Sequence, residues 1–269
     1  MNYKKEETQD LIIKSKYDSL YRIVLTLSRK CNYNCSFCPQ SNINIPNDFK
    51  NGFLSLETTD AIIKNLDNKF TGTFSLSGFG EPTLNPDFFS IVSKLKNETS
   101  AKIDIISNGS DLNKLFKCDA DTIHISCYNP KTEEYLIKET QKDLRFKILA
   151  KYKQENFNNR AGNVYIIDQQ YNQCCNVLLM KLSIDYNGDI LKCCSDWTKK
   201  DILGNVYTNS IWNIWFNKTK HDKINMINDH RELIKICQDC NAEGSLYGSQ
   251  YKKFWKEYYE KENKSTNYN

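Results

Sequence analysis

The chain has no long hydrophobic run. No stretch reaches the roughly 18 apolar residues that a membrane-spanning helix needs, and the mean hydropathy is −0.64. The first ten residues, Met1 to Asp10, are charged and lack the apolar centre of an export signal. A cytoplasmic protein without a membrane partner is therefore expected. Blocks of one charge sign are also missing. With 37 basic and 33 acidic side chains the formal net charge is +4, which describes a mixed solvated surface. There is no RNA-binding motif, and a nucleic-acid partner is not expected. No internal repeat is visible. Against these absences stand eleven cysteines. In a chain with no export signal they argue for metal ligation over disulfides.

At 269 residues, 39% of them hydrophobic, the chain suits one large domain or a domain with an appendage. The most informative stretch is Cys31-Asn32-Tyr33-Asn34-Cys35-Ser36-Phe37-Cys38, spaced C-x3-C-x2-C. It directly follows a strand-like run, Arg22 to Leu27. Three thiolates suit a cubane iron–sulfur cluster with one iron left open to a non-protein ligand. A zinc site with a distant fourth ligand, a catalytic zinc and a structural metal knuckle are the competing readings.

Strand-like and helix-like stretches alternate. Strands are predicted at Arg22–Ser28, Thr73–Ser77, Lys102–Ile106, Asp121–Ser126, Arg145–Ala150 and Asn163–Ile167. Helices are predicted at Leu56–Leu66, Asp87–Lys96, Leu112–Phe116 and Thr132–Glu139. This order implies βα units and a parallel sheet. The strands alternate polar and apolar residues: Thr73, Ser75 and Ser77 oppose Phe74 and Leu76, and Thr122, His124 and Ser126 oppose Ile123 and Ile125. With a side-chain period of 2, one face is apolar and carries the helices. The other is polar and lines a concave interior, which describes an open partial barrel better than a packed closed one.

Beyond Gln169 the texture changes. Val177–Ile184, Asn187-Gly188 and Asp189–Leu191 read as a β-hairpin with a two-residue turn. A helix is expected from Ile211 to about Ile227 and another over about Leu246–Lys261. Cys174, Cys175, Cys193, Cys194, Cys237 and Cys240 gather in this part. The hairpin returns Cys175 and Cys193 to one end, and Cys237-x2-Cys240 is a common ligand pair. On spacing alone, zinc and a second iron–sulfur cluster both fit. Cys118 and Cys127 read as ordinary buried thiols.

The C-x3-C-x-aromatic-C motif after a first strand resembles that of the radical S-adenosylmethionine (radical SAM) superfamily. The stretch Asp185-Tyr186-Asn187-Gly188-Asp189 through Cys193, with Cys237 and Cys240, resembles the SPASM/twitch extension of those enzymes. The resemblance implies an α/β fold: a partial (β/α) radical SAM barrel with a small C-terminal hairpin-and-helix twitch domain. It divides the chain into an N-terminal segment (1–20), a core (21–168), a twitch domain (169–245) and a C-terminal helix and tail (246–269). It implies two [4Fe–4S] clusters and SAM as cofactors. Cys31, Cys35 and Cys38 are then the ligands of the first cluster. Cys175, Cys193, Cys237 and Cys240 are those of an auxiliary one, in the shorter twitch form because no cysteine follows Cys240.

Ser77-Gly78-Phe79-Gly80-Glu81-Pro82 looks like the family's GGEP motif, with Phe79 replacing its first glycine. Gly80 and Glu81 are thereby expected at the SAM amino group, Ser107, Asn108 and Ser126 at the ribose and carboxylate, and Phe37 on the adenine. His124 and Arg160 are the candidate catalytic residues, Arg160 because it falls between the core and the extension. The chemistry implied is reductive cleavage of SAM to a 5′-deoxyadenosyl radical, hydrogen abstraction from a substrate and loss of a second electron to the auxiliary cluster. A flavodoxin- or ferredoxin-like donor is the implied electron source. The layout is similar to that of the 2-deoxy-scyllo-inosamine dehydrogenases. Only about twenty residues precede the first strand. That favours a small polar substrate, a sugar or cyclitol alcohol, over a peptide held by an N-terminal recognition domain. A peptide-modifying maturase and a non-catalytic zinc or iron–sulfur electron-transfer module are the alternatives.

Overall fold

In the computed structural model, residues 13–42, 44–153, 158–165, 175–242 and 248–266 are described. Five strands alternate with four helices: β1 (Arg22–Thr26), α1 (Leu56–Leu66), β2 (Thr73–Ser77), α2 (Phe88–Glu98), β3 (Lys102–Ser107), α3 (Leu112–Lys117), β4 (Thr122–Cys127), α4 (Pro130–Thr140) and β5 (Phe146–Ala150). Three of these helices, α1, α3 and α4, begin where the sequence supplies an end group. Ser55 accepts from the Thr58 N–H to start α1, Asp111 accepts from Lys114 at α3, and Asn129 accepts from Lys131 ahead of α4, which has Pro130 in its first turn.

The sheet is open and has eight strands in the order β5-β4-β3-β2-β1-β6-β7-β8. The first five are mutually parallel. The period-2 reading holds. Ile23, Leu25, Phe74, Leu76, Ile103, Ile105, Ile123 and Ile125 are all buried under the helices. The polar face keeps Thr26, Ser75, Asp104, His124 and Ser126 together. Cys118 and Cys127 are buried.

Three expectations are corrected. The predicted strand Asn163–Ile167 begins as a turn over 163–165, its last two residues lying outside the described ones. Its neighbour's place is taken by β6 (Lys181–Ile184), which pairs parallel with β1 on the other side. The first four residues of the predicted hairpin, Val177–Met180, form a helical turn, α5. The hairpin of β6 and β7 (Asp189–Leu191) closes through a three-residue loop. Asp185 N–H bonds to the Asp189 carbonyl, Gly188 N–H bonds to the Asp185 carbonyl, and Gly188 adopts φ +84°. That is a turn with a bulge rather than a two-residue Asn-Gly connection.

After β8 (Ile202–Asn205) the predicted long helix is split into α6 (Ile211–Asn213), a π-helical turn (Ile214–Lys218) and α7 (Lys220–Ile227). Then follow α8 (Lys235–Gln238) and α9 (Ser249–Thr266). Tryptophans bolt these pieces to the barrel. The indole N–H of Trp212 bonds to the Leu66 carbonyl, that of Trp215 to Ser19 Oγ, and that of Trp255 to the Leu179 carbonyl. Among the described residues no helix is long and apolar enough to cross a membrane.

Candidate iron–sulfur and SAM site

The first cysteine loop leaves the C-terminal end of β1, where parallel α/β sheets place their ligands. Its base is held from three sides. Asn85 donates to the carbonyls of Leu27 and Leu54. Ser28 forms a bridge to Phe53. Arg29, fully buried, forks onto the equally buried Asp185 at 2.9–3.0 Å and donates to the carbonyls of Phe49 and Trp197. Its guanidinium lies 4.3 Å from the Phe79 ring centroid, and Phe79 packs on Trp197 at 4.9 Å. Phe79 thus turns its ring into the seam between β1 and the hairpin. The Arg29–Asp185 pair spans 156 positions and carried no sequence signal.

The three thiols of this loop are half-buried and act on one another. Burial pushes the Cys35 thiol up to about 11, with Cys38 and Cys31 adding to the rise. Burial also raises Cys31 and Cys38, while Arg160 and Lys50 pull Cys38 back down. The Tyr33 N–H points at Cys31 Sγ at 3.4 Å, and Asn108 Nδ2 lies 3.9 Å from it. Half-buried thiols approached by N–H groups suit a cationic iron centre, whose binding displaces the protons. Among the described residues no three Cys, His, Asp or Glu side chains converge closely enough to hold a single metal ion.

Gly80 packs directly on this loop. A Cβ there would sit 2.4 Å from the Lys30 carbonyl and 2.5 Å from that of Ser28, so the position excludes any side chain. Glu81, 2% exposed, is committed internally: it accepts from Thr83, Ser107 Oγ and the Asn108 N–H. Burial raises its pKa against these bonds. Glu81 and Ser107 therefore brace the ends of β2 and β3. Asn108 and Ser126 instead line a cavity of about 320 Å3 at the ends of β3 and β4, together with Tyr33, Gly109 and Tyr128. Phe37 packs at a tilt on Tyr128 with ring centroids 5.4 Å apart, beside that cavity.

His124 does not reach the cavity lining. It is 7% exposed, and its Nε2 meets Asp104 Oδ1 at 2.9 Å, while Arg22 takes the other carboxylate oxygen at 2.9 Å. This trio fills the floor of the polar face, with Asp104 shared between His124 and Arg22. Arg160 lies on a turn within residues 158–165. It opens a left-handed run, with φ of +49°, +54° and +79° at Arg160, Ala161 and Gly162. Its charge acts on Cys38, Tyr128 and Cys194. Asn163 in the same turn donates to the Ser195 carbonyl and accepts, through its own carbonyl, from Asn42. Asn159 and Asn241 clasp each other through side chain and backbone. The turn is thereby tied to both cysteine sets.

In the second set, Cys175, Cys193, Cys237 and Cys240 are half-buried against the same core. Cys175 acts on Cys193 and on Cys237, and Cys240 acts on Cys237. Burial pushes the Cys237 thiol up to about 12. The Ser195 N–H points at Cys193 Sγ at 3.4 Å. Cys194 is exposed; Cys193 keeps its proton and donates to it, which, with Lys181 and Arg160 nearby, lowers Cys194 to about 6. Cys174 lies outside the described residues. The four half-buried thiols form a donor set suited to a closed cluster. Arg231, which the sequence gave no reason to single out, stands beside them.

Comparison with known proteins defines the class. Residues 25–173 match the Radical SAM superfamily profile, and residues 174–241 match SPASM, the iron–sulfur cluster-binding domain. The chain belongs to the radical SAM superfamily and is an iron–sulfur enzyme. Among solved structures, BtrN in complex with AdoMet and 2-DOIA superposes with a TM-score of 0.71 at 20% identity, over 84% of this chain and 97% of that one. BtrN in an open conformation gives 0.61 at 19%, over 83% and 92%. Native anSMEcpe with bound AdoMet and the Cp18Cys peptide gives 0.50 at 14%, over 92% and 100%. These likenesses establish the partial-barrel fold. No curated protein matches significantly.

Proposed function

We propose that this chain is a radical SAM oxidoreductase that oxidises an alcohol carbon of a small polar substrate, a sugar or cyclitol, with one auxiliary [4Fe–4S] cluster as electron acceptor. The observation that carries this reading is the position of Arg160, on a turn bound on one side to the Cys31–Cys38 loop and on the other to the Cys237–Cys240 segment. The core spans 21–168 and the twitch domain 169–245. Cys31, Cys35 and Cys38 hold the first cluster; Cys175, Cys193, Cys237 and Cys240 hold the second. Phe37, Asn108 and Ser126 surround the SAM nucleoside and carboxylate, with Gly80, Glu81 and Ser107 fixing the loops that carry them.

When bound, the cofactors supply a one-electron reductant, a hydrogen-abstracting radical and an electron sink. The protein's own task is to place the substrate and manage its proton. Arg160 offers a guanidinium with five N–H donors in a fixed fork. It binds the substrate hydroxyl and stabilises the negative charge that grows there as the proton leaves. A flavodoxin- or ferredoxin-like protein is the proposed reductant. BtrN, a 2-deoxy-scyllo-inosamine dehydrogenase superposed over 97% of its own chain, supports the small-alcohol reading. The peptide-bound neighbour is the reason to keep a peptide substrate as the second reading.

The test is anaerobic reconstitution, iron and sulfide counting, and mass spectrometry of 5′-deoxyadenosine formed with dithionite and SAM. Replacing Cys31, Cys35 and Cys38 together by Ala is expected to abolish 5′-deoxyadenosine. Deuterium from labelled cyclitols or sugars is expected in it; deuterium from labelled peptides alone would replace the alcohol reading by the second one. Arg160→Ala is expected to slow substrate oxidation roughly 10²-fold while leaving substrate-free SAM cleavage intact.

A further inference from the structure

Arg231 opens a single 3-10 turn, Arg231–Leu233, just ahead of α8. Its side chain is 7% exposed. The guanidinium donates to the Ala242 carbonyl at 2.8 Å and reaches the Cys240 carbonyl at 3.4 Å. Its charge acts on Cys175, Cys237 and Cys240. The backbone fixes it in place: the His230 N–H bonds to the Asn225 carbonyl at 2.8 Å and the Ile234 N–H to the Arg231 carbonyl at 3.1 Å. A permanently charged cation is thus buried on the backbone of the Cys237–Cys240 segment, with its charge felt by three of the four thiols of the second set.

Reduction of a thiolate-bound iron–sulfur cluster adds one negative charge to it. A fixed cation bonded to the backbone of a ligand residue, Cys240, favours that charge more strongly in a poorly hydrated site than in water. Hydrogen bonds to ligand sulfurs and local charge are established levers on cluster potential. We propose that Arg231 is a positioning residue that raises the reduction potential of the auxiliary cluster, making it a better acceptor of the electron released by substrate oxidation. The balance is simple. After hydrogen-atom abstraction the substrate carbon gives up one electron, which the auxiliary cluster takes, while the hydroxyl proton leaves to solvent. The carbon–oxygen single bond becomes double.

This inference rests on the auxiliary-cluster part of the proposed function, and its test separates the two. The measurement is an EPR-monitored redox titration of the loaded full chain, with the Cys31→Ala/Cys35→Ala/Cys38→Ala chain used to assign the auxiliary signal. Arg231→Met is expected to raise the oxidised-to-reduced ratio at a fixed potential at least tenfold, a shift of about 59 mV to more negative potential for a one-electron couple. Arg231→Lys, which keeps the charge, is expected to keep most of the wild-type potential. If Arg231→Met does not fold, Arg231→Gln makes the same comparison, since it retains a donor for the Ala242 carbonyl but no charge. Midpoints that coincide in the charged and uncharged variants overturn the role of Arg231 and leave the cluster in place. Zinc, or no metal, in the assignment chain overturns the cluster reading itself.

Discussion

Cys35 loses its proton reluctantly. Burial and the neighbouring Cys38 and Cys31 hold its pKa near 11, against an ordinary 9. A raised thiol pKa means the neutral form persists below 11 and the thiolate appears only as pH climbs through it. In the metal-free chain, alkylation of Cys35 by iodoacetamide is expected to rise about tenfold per pH unit from 8 to 10. Cys194, with its pKa lowered to about 6, is expected to be already at its plateau by pH 8. Peptide mass mapping across the pH series reads both residues in one sample; a Cys35 plateau near pH 9 would refute the burial argument. Residues of this kind were legible in the sequence because spacing alone marked them. Glu81 was legible by position but not by partner: the four donor groups that occupy it come from three residues at two strand ends meeting in space. His124 was read onto the correct face, yet Asp104 and Arg22, which immobilise it, sit on other strands.

Gly80 shows how one element constrains another. Its backbone touches the Ser28 and Lys30 carbonyls so closely that the β2 loop and the first cysteine loop form one unit. Gly80→Ala is expected to push the cysteine loop outward without unfolding the helices. The readout is iron content: loss of the Cys31–Cys35–Cys38 cluster with retained far-UV circular dichroism is expected, and full iron loading with undiminished SAM cleavage would contradict it. At this scale the βα alternation and the two-faced strands were readable, because period 2 and helix end groups are local signals. The failures have a common cause. Val177–Met180 has the apolar run of a strand but lies before the point where β1 offers a partner. The stretch after Ile211 has helical periodicity throughout, yet Trp215 must reach Ser19, and the π-turn provides the extra residue that aims it.

The whole molecule is joined across its middle by the buried Arg29–Asp185 pair. Removing one partner of a buried pair strands the other charge. Lys199 also reaches Asp185, at 2.8 Å, so Arg29→Met is expected to cost about 3 kcal/mol, the low end for such losses. Urea unfolding of the metal-free chain measures it, and a midpoint unchanged from wild type would show that the pair holds nothing together. No periodicity or motif announces such a pair; it exists only once the hairpin has docked. Phe79, which departs from the glycine of the motif it sits in, is explained by the same seam, since its ring covers the Arg29 guanidinium.

Because β6 is laddered to β1 through Arg22↔Lys181 to Leu25↔Ile184, the strand that launches one cysteine loop is bonded to the strand that leads toward the other. The separation of the two sulfur nests is therefore set by a ruler of peptide hydrogen bonds rather than by a hinge. The spacing between the two cysteine sets is thus a fixed dimension of this protein, and among the described residues the sheet's opposite margin is β5, which pairs only with β4.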